Sequence, residues 1–116
     1  MAVPTTLDLT GDRGVVMVTW PLTTADATGD PVAWYDWADR SITFIGATWG
    51  GAVAALEGSN DGTNWVPITD VQGTAITKNV NGIEAAVELT RFVRAKLTTG
   101  GTSAVVSAQL IMRKGY

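Results

Sequence analysis

Residues 91–114, RFVRAKLTTGGTSAVVSAQLIMRK, decide the fold class. From Arg91 to Leu97 the chain alternates, with Val93, Ala95 and Leu97 on one side and Phe92, Arg94 and Lys96 on the other. TTGGT then makes a turn. The longest stretch, 104–114, repeats the alternation with Val106, Ala108, Leu110 and Met112 on one face. A period of two marks half-buried strands, because successive side chains of a strand point to opposite sides of its sheet.

The rest of the chain reads the same way. VVMVTW at 15–20 is a β-branched strand that Pro21 is expected to end, followed by a polar Thr/Ala/Gly/Pro loop over 21–33. RSITFI at 40–45 alternates, with Ile42 and Phe44 on one face. Glycines flank AVAALEG at 52–58 and favour a strand, SNDGTN at 59–64 makes a tight turn, and WVPI at 65–68 returns. Asp61-Gly62 supplies the positive φ of a hairpin turn, and Pro67 implies an edge or a bulge. Strands over 74–80 and 83–89 flank Asn81-Gly82, a second hairpin signal. The reading is all-β, about eight short strands with no convincing helical period, as in a sandwich or barrel of two packed sheets. Residues 1–14 have no clear period and read as an extended arm ending in a turn at Gly11–Gly14, and 15–116 as one domain.

Composition narrows the function. At 116 residues the chain supports one core, with about 6,000 Å² of folded surface expected. There is no Cys and no His, which removes disulfides, Cys/His zinc sites, thiol nucleophiles and any His-based catalytic base. A net charge of −3 argues against nucleic acid. The longest apolar-looking run, Ile45–Leu56, has 12 residues including three glycines, too few to cross a membrane as a helix. With no run of the roughly 20 apolar residues that a membrane helix needs, a soluble protein is expected; no signal peptide is apparent over Met1–Thr10.

The remaining chemical motifs fail on their own terms. Glu57, Ser59, Asp61 and Gly62 match the start of a calcium loop, but Ile68 stands where the bidentate Glu belongs, so a self-capped turn is expected. Asp30, Asp36 and Asp39, and the pair Glu84 and Glu88, read as surface carboxylates. The Gly-Gly pairs lack the following helix and Lys of a phosphate loop. No catalytic residue, metal site or cofactor is expected, and the chain does not read as an enzyme.

What remains is an excess of Trp: five in a weakly charged small domain. Trp is enriched at interfaces because it offers a large apolar area with a polar handle. Trp20 and Trp65 are expected in the core. Trp34, Tyr35 and Trp37 crowd four positions; if extended, Trp34 points opposite to Tyr35 and Trp37, and one side becomes a contact surface, a sugar platform or plain core. Trp49, among glycines, poses the same choice.

Glu57-Gly58-Ser59-Asn60-Asp61-Gly62-Thr63-Asn64-Trp65-Val66 resembles the SNDG-x-x-W hairpin of jelly-roll domains, and Arg91-Phe92-Val93-Arg94 resembles the strand that follows in them. With Ala47–Ala52 in front, the order is similar to the jelly-roll decoration, or cement, proteins of tailed bacteriophage capsids. The resemblance covers roughly 42–113. It implies a jelly-roll β-sandwich and a homotrimer clamped on the major capsid protein, on the outer surface of a virion assembled from protein made in the host cytoplasm. On that reading Trp34, Tyr35, Trp37 and Trp49 are the expected subunit contacts, and Val3, Pro4, Leu7 and Leu9 of the arm the expected capsid contacts. The alternatives are a carbohydrate-binding module and a phage tail or fibre component.

Overall fold

A computed structural model describes residues 1–11 and 14–114. Among the described residues, ten strands build two antiparallel sheets packed face to face. In chain order they are β1 (Thr5–Asp8), β2 (Val15–Thr23), β3 (Val32–Ala33), β4 (Trp37–Thr48), β5 (Val53–Ser59), β6 (Val66–Pro67), β7 (Thr77–Lys78), β8 (Gly82–Ala85), β9 (Phe92–Thr99) and β10 (Val105–Lys114). One sheet has the order β1-β2-β10-β4-β8 and the other β3-β9-β5-β6, with β7 also pairing β5. Since β6 and β7 take successive stretches of one β5 edge, the sandwich has the eight strand positions of a jelly roll, with β1 added at one side.

Each sheet turns its alternating apolar positions inward. Val16, Val18, Trp20 and Leu22 of β2 meet Val106, Ala108, Leu110 and Met112 of β10 and Ile42 and Phe44 of β4; Leu56, Val93, Ala95 and Leu97 face them from the second sheet. All are buried, as the period-two reading requires. The folded surface, 5958 Å², matches the size expected of one core.

Several elements depart from the sequence reading. Pro21 does not end β2: it pairs with Ser107 inside the strand. Because β1 stops opposite Thr19, β2 is an edge at Pro21, where a missing N–H costs nothing. Asn81-Gly82 does not make a hairpin, since β7 and β8 lie in different sheets and the segment crosses between them. The strands expected over 74–80 and 83–89 shrink to Thr77–Lys78 and Gly82–Ala85. By contrast, the Asp61-Gly62 hairpin forms with Gly62 at φ 77°, and Asp61 caps the turn by accepting from the Thr63 and Asn64 N–H groups at 2.8 Å.

The arm is built into the domain. The Ala2 N–H donates to Thr28 C=O and Ala2 C=O accepts from the Asp30 N–H, both at 2.8 Å, and the Ala2 side chain is buried. The chain then crosses to the other sheet, where Thr5–Asp8 pair with β2. The turn expected at 11–14 lies partly outside the described residues.

Candidate functional site

The crowded aromatic segment is a turn between the sheets rather than an extended strand. The Trp37 N–H donates to Trp34 C=O at 3.0 Å, which closes a turn over Tyr35 and Asp36. Trp34 is therefore core: it is 0% exposed and donates through Nε1 to the Thr90 hydroxyl at 2.9 Å. This corrects its expected role as a subunit contact. Tyr35 stands out at 58% exposure, and Trp37 is half-buried against the core. Trp49 is also half-buried; its Nε1 and the Gly46 N–H both donate to Asn81 Oδ1, at 2.9 and 2.8 Å. Trp20 is core as expected. Trp65 is not: it is half-buried on the outside of the second sheet, 4.1 Å beneath the Arg94 guanidinium.

Tyr35, Asp36, Trp37, Asp39, Arg40, Leu89 and Lys114 surround an open depression of about 720 Å³. Asp36 pairs with Lys114 and Asp39 with Arg113. Asp39 has φ 47°, next to the break in register between Ile111 and Arg113. Beneath them the Arg40 guanidinium stacks on Trp34 at 4.2 Å and donates to Val87 C=O; its Nε and Nη1 are buried without partners among the described residues. That burial lowers the Arg40 pKa, and nearby Glu88 pulls it back up.

The outward faces of the two sheets differ in charge. On the sheet that begins with β1 the register aligns Leu7, Met17, Ile111, Ser41 and Ala85 in one row, and Thr5, Thr19, Gln109, Thr43 and Ile83 in the next. A third row holds Pro21, Ser107 and Ile45. None of these residues is charged, and Leu7 and Ile83 are 55% and 61% exposed. Charge begins at the end of the face, with Arg113 and Asp39. The sheet built on β5 and β9 instead turns Lys96 and the Arg94–Glu57 ion pair outward.

Leu7 of the arm thus joins a larger surface, with Leu9 exposed just beyond β1 and Val3 exposed at the crossover. Pro4 beside it is half-buried. Met17, Ile45, Ile83 and Ile111 were missed as surface candidates. For Met17, Ile45 and Ile111 the signal is in the sequence: VVMV, ITFI and QLIM are apolar at both parities, more than one buried face needs.

Comparison with known proteins leaves the reading to this geometry. No protein-family model matches the chain, and no curated protein matches it.

Proposed function

We propose that this protein decorates the outside of a tailed-phage capsid, binding the assembled lattice of major capsid protein as a homotrimer and stabilising the head. The observation that carries the reading is the uncharged outer face of the sheet that begins with β1. A solvated antiparallel sheet normally alternates buried apolar and exposed polar positions. Three successive rows without charge, holding exposed Leu7, Ile45, Ile83 and Ile111, fit a surface that is covered in the working assembly. The jelly-roll strand order agrees with the resemblance of the 57–66 hairpin.

The mechanism needs no reaction. A protein that binds the assembled shell and not free subunits stabilises the shell by mass action. A trimer adds effective concentration, because the second and third contacts follow the first within one particle. The test adds purified protein to expanded capsids lacking it. Binding with raised heat resistance is expected, and Leu7→Asp with Ile111→Asp abolishes both. If the unaltered protein neither binds nor protects, the reading is wrong.

A carbohydrate-binding role has one observation in its favour, the open depression where Tyr35 stands beside Asp36 and Asp39. An exposed ring with neighbouring carboxylates suits a polyhydroxylated ligand. A glycan array with the unaltered protein and Tyr35→Ala tests this role.

A further inference from the structure

The side of the sandwich between β1 and β3 is open. The first sheet runs one strand further, at β1, while the second ends at the two-residue β3. Between them lies a slot of about 400 Å³. Buried Val16, Val18 and Met112 line its floor together with Val32 and half-buried Trp37, while Thr6, Asp8 and Ala33 lie along its rim, so one carboxylate residue borders an otherwise uncharged lining. Its size suits a compact apolar group.

The backbone at its mouth carries unused hydrogen-bonding groups. The Trp34 N–H donates to Arg91 C=O, so Trp34 turns its N–H toward β9, although the return bond is absent because the Arg91 N–H donates to Asn60 Oδ1. Antiparallel pairs alternate, so at Ala33, opposite Phe92, the N–H and C=O point away from β9. The same alternation starts from the Leu9 N–H donating to Val15 C=O, and it turns the Thr6 N–H and C=O away from β2. Earlier along the strand that leads into β3, the matching outward groups of Thr28 and Asp30 are paired with Ala2. The chain thus already uses the stretch before Pro31 to hold an extended segment; the pairing with β9 slips by one residue there, and Ala33 beyond the slip stays open.

We propose that this open side is a strand-addition site for a protein partner. An extended polypeptide segment pairs with the free backbone edge at Ala33 or Thr6 and seats one apolar side chain in the slot against Val16, Val18, Met112 and Trp37. Backbone pairing supplies affinity and the slot supplies selectivity for the anchor. A free small molecule would use the slot and ignore the edges.

The test uses the isotope-labelled full chain and short acetylated, amidated threonine peptides with one central leucine or, as control, one central aspartate. The leucine peptide is expected to shift the Thr6 or Ala33 amide and slow its hydrogen exchange, and to perturb the Trp37 indole. The aspartate peptide binds at least about tenfold more weakly, the factor that 1.4 kcal/mol of lost anchoring produces. Thr6→Pro and Ala33→Pro each remove an N–H that the fold does not use, so both retain the melting temperature. At least one of them weakens the leucine peptide about tenfold. Exchange on the unaltered chain gives the answer even if a proline variant fails to fold. The proposal is overturned if neither amide responds, if N-acetyl-leucine amide alone produces the same response with both amides unprotected, or if both folded proline variants bind like the parent. The readout uses isolated protein, so its failure is separate from a failure to bind capsids.

Discussion

Trp34 Nε1 donates to the Thr90 hydroxyl, which in turn donates to Phe92 C=O at 2.7 Å, so one hydroxyl fixes a buried indole against the start of β9. Thr90→Val keeps the shape and removes both roles. It leaves the indole N–H buried without an acceptor, which costs about 1–3 kcal/mol. Chemical denaturation should show that loss with an unchanged slope. Trp34→Phe in the same background should recover part of it, because the orphaned donor is then gone.

Trp49 is held by a single acceptor, Asn81 Oδ1, shared with the Gly46 N–H. Asn81→Ala should free the indole and cost about 0.5–1.5 kcal/mol. A Cβ at Gly46 would lie 2.3 Å from Trp49 Nε1, so Gly46→Ala should expel the ring even with Asn81 present. The indole N–H cross-peak of Trp49 reports both. If Trp49 contacts a sister subunit, either substitution should also weaken the oligomer in sedimentation.

Acid stability should depend on two carboxylates. Backbone and side-chain hydrogen bonds from Asn64, Thr63 and Ser59 push the Asp61 pKa far below its ordinary 3.8. Hydrogen bonds from Thr69 lower Glu88 from 4.5. A carboxylate with a depressed folded pKa binds fewer protons folded than unfolded. Its contribution is therefore full above the unfolded value and lost as pH falls toward the folded one. The melting temperature should be flat above about pH 5 and fall below about pH 4. The doubly substituted Asp61→Asn, Glu88→Gln protein should start lower at neutral pH and lose less on acidification.

The core was legible because alternation alone assigns the inner faces of β2, β4, β9 and β10, and one packed interior needs no more. The side of each aromatic was not legible. Trp34 lies in the core because a turn at Tyr35-Asp36 replaces the extended geometry that the spacing suggested. Trp65 lies outside because Arg94, from a strand distant in sequence, supplies its cover. Asn81-Gly82 misled for a related reason: Asn81 spends its side chain on Gly46 and Trp49, a contact that no local pattern encodes. The arm's own partners, Thr28 and Asp30, are equally non-local.

The charge difference between the two outer faces makes the last prediction. Ile83→Lys and Ile111→Lys each put a charge into a row that has none, while leaving the inner face of the strand untouched. Substitutions at such exposed positions change stability by about 0.5 kcal/mol or less, so melting temperatures should stay close to the parent. If the face is covered in the assembly, each new ammonium must be desolvated there without a counter-charge, and association should fall by at least about tenfold. Lys96→Ala on the opposite sheet removes a charge from a face already charged and should leave association unchanged. Capsid co-sedimentation and analytical ultracentrifugation of the three variants beside the parent separate these outcomes. Equal losses from all three, or none from the two lysine variants, would show that the uncharged face is not the one covered.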